Sequence, residues 1–261
     1  MRPDLFTIGP FTVHSYGVMM AVAFLVATYV AYLRAKREGV PSQIVFDLSL
    51  YMLISGLLGA RIFHIIQHIR SYSSFIDALK IWEGGLTYYG GFIPAVIVGV
   101  LYLYFKRVWV AKVADIVSPP LALGIGIGRI GCFLAGCCFG KPTSLPWGVI
   151  FPEGSPAWMV FGSQKVHPTQ IYSSIFLLCV FVVLLLLRKK KFPGQLFLSF
   201  VIIYALYRFF IDFLRYYAPD ERIKGFATSQ IVSAAVGAIA LMFMIVLIIR
   251  QRLLARRASS F

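Results

Sequence analysis

Long apolar stretches, separated by short polar and mostly basic ones, run the length of this chain. Runs of about 20 apolar residues, enough for a helix to cross roughly 30 Å of hydrocarbon, fall at 12–33, 45–67, 84–105, 113–136, 168–187, 195–214 and 228–249. The pattern predicts an all-α integral membrane protein with seven transmembrane helices. No internal repeat and no Ser/Gly linker divides the chain, so residues 1–261 are expected to form a single polytopic domain. Its longest polar insert, at about 141–166, is rich in Pro and Gly and holds Trp147 and Trp158, residues suited to the membrane interface. A second segment, "IRSYSSFIDALKIW", is expected to be a short helix in the headgroup plane. The opening "MRPDLFTIGPFTVHSYG" lacks the order of basic region, apolar core and small-residue cleavage site, so the first span is expected to stay as an anchor.

Composition agrees with the pattern. The chain is 59% hydrophobic and 13% charged with a mean hydropathy of +0.82, against roughly 45–50% apolar and 25% charged in soluble domains. The net charge of +15 raises the question of nucleic acid, and the placement of the charges answers it. Arg34/Lys36/Arg37, Lys106/Arg107/Lys112, Arg188/Lys189/Lys190/Lys191 and Arg250/Arg252/Arg256/Arg257 all fall on one side if the spans alternate. Of the acidic residues only Glu38, Asp47 and Asp115 share that side. The positive-inside rule then predicts an outer N-terminus and a cytoplasmic C-terminus. The basic surface suits anionic headgroups, and no nucleic-acid partner is expected.

An ionisable side chain deep in a span costs a few kcal/mol or more and is a functional-site hypothesis by default. Counted at about 1.5 Å per residue from the inner ends, Arg61, Arg129 and Arg208 all reach the outer third of the bilayer. In "YALYRFFIDFLR", Tyr204, Arg208, Asp212 and Arg215 stay within an arc of about 80°, and Asp212 stands one turn from Arg208, where it can neutralise and orient it. The third span opens "EGGLTYYGG", whose glycines weaken the helix and permit close backbone approach beside Tyr89. Tyr16, His167 and Gln170 reach a similar depth.

"GIGIGRIGCFLAGCCFG" contains G-x-G-x-x-G, but a dinucleotide turn needs a preceding strand and a soluble βαβ unit. The small residues are better read as a surface for close helix or lipid approach. Cys132, Cys137, Cys138 and Cys179 read as small hydrophobes packing a tight helix end. A zinc site is not expected, because Cys137 and Cys138 are adjacent and Cys179 lies deep in an aliphatic span. A vicinal disulfide or thiol-redox role on an oxidising outer face is the alternative.

Arginine captures phosphate in bidentate fashion, so a deep arginine cluster flanked by phenols and a carboxylate is suited to hold a phospholipid by its headgroup. No Ser-His-Asp order, H-E-x-x-H or aspartate-rich magnesium motif is found in the spans, and neither cofactor nor metal is expected. Chemistry would come from positioning and from stabilising a leaving phosphate. A transporter with glycine-broken helices and a thiol oxidoreductase using Cys137 and Cys138 are rival readings. The first is opposed by polar groups gathered at one depth, the second by the lack of a separated C-x-x-C.

"GRIGCFLAGCCFG", Gly128 to Gly140, resembles the signature of the prolipoprotein diacylglyceryl transferase family, usually G-R-x-G-N-F-x-N-x-E-x-x-G. "HSYGVM" (His14–Met19), "GGLTYYGG" (Gly84–Gly91), "HPTQIY" (His167–Tyr172) and "YRFFIDFLR" (Tyr207–Arg215) are similar to further family motifs, in the family's order. The resemblance implies a bacterial inner-membrane enzyme with its active site toward the outer face. It would move the diacylglyceryl group of phosphatidylglycerol to the lipobox cysteine of a preprolipoprotein signal peptide, releasing glycerol phosphate. By position, Arg129 is the signature arginine, Gly128, Gly131 and Gly140 are signature glycines, and Arg208 is the second essential arginine. Tyr16 and Tyr204 match functional tyrosines, and Asp212 stands where the family has glutamate. Cys132 replaces the signature asparagine, Cys137 its glutamate, and Tyr89 a histidine proposed as base. Arg129, Arg208 and Tyr89 are thus expected to be catalytic. Gly128, Gly131, Gly140, Tyr16, Arg61, Tyr204, Asp212, Arg215, His167 and Gln170, with Arg129, are expected to bind substrate.

Overall fold

The computed structural model describes residues 4–8, 11–69, 85–187 and 190–258. Among them seven helices are long and apolar enough to cross a membrane, as the apolar pattern predicts. These are α1 (Ser15–Arg37), α2 (Ser42–Gln67), α3 (Tyr88–Phe105), α4 (Val110–Ala135), α6 (Thr169–Leu186), α7 (Gln195–Leu214) and α8 (Thr228–Ala258); α5 is a short helix, Pro156–Phe161. The interfacial helix expected at 69–82 lies, from residue 70 onward, outside the described residues, as do Gly84, Arg188 and Lys189.

The first span begins at Ser15 instead of 12 because the chain ahead of it is a hairpin. Strand β1 (Asp4–Ile8) pairs antiparallel with β2 (Phe11–His14), with Phe6 opposite Val13 and Thr7 opposite Thr12. β-branched residues at 7, 8, 12 and 13 favour this pleated arrangement over another turn of helix. A smaller hairpin, β3 (Arg222–Ile223) with β4 (Phe226–Ala227), precedes α8.

The chain forms two compact units, one of residues 31–113, the other of residues up to 30 and from 114 onward. In the first, α2 and α3 pack with backbones in direct contact. A methyl group on Gly59 would sit 2.5 Å from the Gly90 carbonyl oxygen and 2.7 Å from Pro94 Cγ. Such small-residue contacts are how helices associate in lipid, where apolar burial supplies little drive. Tyr102 ties the other end of the pair by donating to Asp47 at 3.0 Å.

In the second unit α4, α6 and α7 enclose a core of Ala122, Leu177, Val180, Leu184, Leu196 and Phe200. Ser174 of α6 donates to the Gly126 carbonyl of α4 at 2.9 Å. Buried Asp115 accepts the backbone N–H groups of Gly194 and Phe197 at 2.9 and 3.0 Å, filling the orphan donors at the start of α7. The insert at 141–166 builds its own small core: Phe139, Phe151, Ala157 and Val166 pack with Phe161 and Tyr216. Its helix α5 is capped by Ser155, which accepts from Trp158 N–H at 3.3 Å.

Because the atom facing Gly59 is a backbone oxygen that cannot swing aside, Gly59→Leu is expected to lose about 1–3 kcal/mol. Thermal unfolding in detergent, with Gly17→Ala as an uncrowded comparison, measures this.

Candidate functional site

The most developed polar cluster of the second unit centres on α7. Arg208 and Asp212, one turn apart, form an ion pair with Nη1 and Oδ1 separated by 3.3 Å. Asp212 is 3% exposed, so its charge must be answered inside the protein. Tyr217 closes the pair into a ring: its hydroxyl accepts from Arg208 Nη2 at 2.7 Å and donates to Asp212 Oδ1 at 2.8 Å. Ser229, in the first turn of α8, donates to Asp212 Oδ2 at 2.5 Å. Burial, with a smaller contribution from the Asp212 charge, pushes the Tyr217 phenol above its ordinary range against the opposing fields of Arg215 and Arg208 and the Ser229 hydrogen bond. Tyr217 therefore keeps the proton that this geometry requires.

Arg129 rises near the end of α4 and faces the Tyr204 phenol, with the Cys138 and Cys132 thiols in electrostatic range. One step along α7, Tyr207 feels both guanidiniums, Arg129 and Arg208, and donates to Ser173 at 2.9 Å. Two of the three arginines singled out in sequence thus lie within electrostatic range of one phenol. Tyr16, in the first turn of α1, joins the same neighbourhood, within the fields of Cys132, Cys137, Cys138 and Arg129.

The segment after α4 is held by its backbone. Gln170 donates to the Cys137 carbonyl at 2.7 Å and Thr169 to the Cys138 carbonyl at 2.8 Å. Gly140 N–H donates to the His167 carbonyl at 3.0 Å, and Lys141 N–H to the Leu214 carbonyl at 2.8 Å. A Cβ at Gly140 would meet His167 Cβ at 2.5 Å and the His167 carbonyl oxygen at 2.7 Å, so only glycine lets these strands close. Gly131 lies against Met19 of α1, and Gly128 against Met20.

Arg215 departs from its expected place on the α7 face. The helix ends at Leu214, Arg215 is extended at ψ 147°, and its guanidinium lies 5.2 Å from the centre of the Tyr217 ring. Its Nε is buried without a hydrogen-bond partner, as are Gln170 Oε1 and Ser15 Oγ. His167 Nδ1 stands 3.4 Å from the Tyr172 hydroxyl, which accepts from Trp147 Nε1 at 2.8 Å. Burial holds the His167 imidazole below its ordinary pKa and therefore neutral at pH 7.

The cysteines depart from expectation in a different way. Cys132, Cys137 and Cys138 bring their sulfurs within 4.8 Å of one another despite the adjacency of the last two. Cys138 takes a left-handed backbone at φ 61°, which turns its side chain back toward its neighbours. Hydrogen bonds from Cys132 and Cys137, then the fields of Arg215 and Arg129, draw the Cys138 thiol well below its ordinary pKa. Cys179 stands apart on α6, exposed.

In the first unit, Arg61 is 6% exposed and donates to the Gly85 carbonyl at 3.2 Å. Gly85 takes φ +72° ahead of α3, close to His64. Tyr89 is 56% exposed and meets Tyr88 edge to face at 5.4 Å.

Sequence reasoning missed Tyr217, Ser229 and Tyr207. The first two reach Asp212 only because the chain reverses between α7 and α8, and no periodic pattern marks that. Tyr207 was within sight, since it adjoins Arg208 in a polar-rich segment, but it falls off the arc of Tyr204, Arg208 and Asp212. Asp212→Asn leaves Arg208 without its carboxylate and is expected to destabilise the protein by about 3–5 kcal/mol. Asp212→Glu, which keeps the charge, is expected to lose clearly less; chemical or thermal unfolding of the two variants distinguishes them.

The sequence model of the family described as prolipoprotein diacylglyceryl transferase matches residues 3–246. A Clostridium tetani protein named phosphatidylglycerol-prolipoprotein diacylglyceryl transferase is 39% identical over 89% of this chain and 92% of its own length. A Thermotoga maritima protein of the same name is 35% identical over 88% of this chain and 79% of its own, and one from Geobacter sulfurreducens 29% identical over 85% and 84%. A match of this extent, passing through the arginines and the glycine-bounded turn described above, places the chain in the prolipoprotein diacylglyceryl transferase family.

Proposed function

We propose that this protein transfers the diacylglyceryl group of phosphatidylglycerol to the lipobox cysteine of preprolipoproteins at the outer face of the bacterial inner membrane. The observation that supports the reading is that Arg129 and Arg208 both lie within electrostatic range of Tyr207, two guanidiniums in a bundle of apolar helices. Family membership favours it over transport and over thiol oxidation. The outward-facing site follows from the basic clusters, which suit the anionic inner surface.

The arginines differ in charge balance. Arg208 is paired with Asp212, whereas among the described residues no carboxylate pairs with Arg129. On this reading Arg129, faced by a phenol and thiols and not by a carboxylate among the described residues, holds the lipid phosphate, with Arg215 and its unpartnered Nε beside it. Arg208, fixed by Asp212 and Tyr217, supplies donors in a set orientation. In the reaction the thiol loses its proton and its sulfur attacks the glyceryl carbon. The carbon–oxygen bond to phosphate breaks, and its electron pair leaves on the phosphate oxygen. The guanidiniums stabilise the charge that accumulates there, while Gly128, Gly131 and Gly140 keep the surrounding backbones close. Tyr16, Tyr204, His167 and Gln170 line the headgroup side, and a substrate-binding role for Arg61 rests on its depth in the second span. Tyr89, standing in its motif where the family has histidine, orients the thiol, and it takes the proton only as the phenolate, which needs nearby cationic charge to form at pH 7. An unperturbed thiol is only a few per cent ionised at pH 7, so this step needs help.

Incubating the purified protein with phosphatidylglycerol and a lipobox peptide, with mass detection of the thioether, tests the activity; absence of product overturns it. Arg129→Lys loses the planar fork and is expected to lower turnover about 10²–10³-fold, the range for loss of one preorganised donor. Tyr89→Phe is expected to lower it about 10²-fold or more, as for loss of a general base. An unchanged rate would move the proton to Asp212, a lipid phosphate oxygen or solvent.

A further inference from the structure

Cys132, Cys137 and Cys138 have no part in the transfer as derived above. Their sulfurs lie within 4.8 Å of one another, and among the described residues no histidine or carboxylate joins the group. Three sulfurs about a common ion at roughly 2.3 Å stand about 4 Å apart, so small side-chain rotations bring this trio to coordination distance.

The arrangement is prepared by the backbone. Cys132 sits in the last turns of α4, while Cys137 and Cys138 follow on the far side of Gly136, which takes φ +71°. The two carbonyls of the vicinal pair are pinned by Gln170 and Thr169, so the directions of their Cα–Cβ bonds are set. Cys137 and Cys138 are half-buried and Cys132 is buried, which leaves an approach from one side. Arg129 lies in range of Cys132 and Cys138, and Arg215 of Cys138. Three thiolates on a monovalent ion carry a net charge of −2, which two guanidiniums can balance.

We infer that Cys132, Cys137 and Cys138 form a three-sulfur site for a soft d10 metal ion, best matched by Cu(I). All-thiolate coordination selects soft ions. The absence of a fourth side-chain donor from the group disfavours the closed four-ligand shell that structural zinc takes. Binding displaces to solvent the protons still held by the three sulfurs and transfers no electrons. The ion would staple the end of α4 to the turn that follows it.

The test titrates the reduced, detergent-solubilised protein with Cu(I) under anaerobic conditions against a Cu(I)-specific chelator. One ion per chain is expected, with an ultraviolet thiolate-to-copper charge-transfer band, X-ray absorption reporting about three sulfur neighbours, and a higher melting temperature on loading. Cys137→Ser and Cys138→Ser are expected to weaken binding at least 10–100-fold, the cost of losing even an outer-shell partner, and to abolish the melting shift. Cys179→Ser is expected to bind as the parent does. Failure of the reduced parent to bind stoichiometric Cu(I), or binding that survives Cys138→Ser, overturns the inference. So does a reduced protein that ignores copper while two of the three thiols join as a disulfide on exposure to air. Because the readout is metal binding, none of these outcomes bears on lipid transfer.

Discussion

A guanidinium carried into an apolar bundle must find negative charge or hydrogen-bond acceptors there, or the helix bearing it does not insert. Much of the second unit's polar architecture is a response to that demand. Arg208 is answered by Asp212 on its own helix, by Tyr217 beyond that helix's end and by the Ser229 contact that holds Asp212 from α8. Three successive pieces of chain are thereby bound to one charge. Tyr217 can serve both partners because a protonated phenol accepts and donates at once.

Backbone proximity supplies what the charges alone do not. The segment from Gly136 to Lys141 runs against residues 166–170 and against the end of α7, with main-chain hydrogen bonds to His167 and Leu214. A side chain at Gly140 would separate those three segments. The glycine-bounded signature is thus a packing requirement, by which the end of α4 and its arginine are held in register with α7.

The spans and the key arginines were legible in sequence because lipid imposes a pattern that persists over about 20 residues and makes each buried charge conspicuous. The ion pair of Arg208 with Asp212 was legible from helical spacing alone. Arg215 was not: helical periodicity carries it onto the same face, yet the helix ends one residue earlier and the extended backbone sends it over Tyr217. The N-terminal hairpin was hidden because residues 12–14 merge with an apolar run that reads as helix. The meeting of the three thiols depends on a left-handed residue at Cys138, a conformation that a non-glycine position gives little reason to expect.

The contrast between Arg129 and Arg208 bears on how one site can both bind an anion and release it. A phosphate held by two uncompensated guanidiniums would be gripped strongly before reaction and afterwards alike, which favours binding without favouring the chemical step. Here Asp212 already draws on the charge of Arg208, so that arginine adds most when the leaving oxygen gains negative charge beyond the phosphodiester's single one. On the function proposed above, Arg129, faced by phenol and thiols and by no carboxylate among the described residues, would supply the standing attraction. On the same reading, this division would give ground-state binding to α4 and transition-state stabilisation to α7. The ring of Tyr217 and Ser229 around Asp212 keeps the second arginine in place through the change in charge, without reorganisation at the moment of reaction.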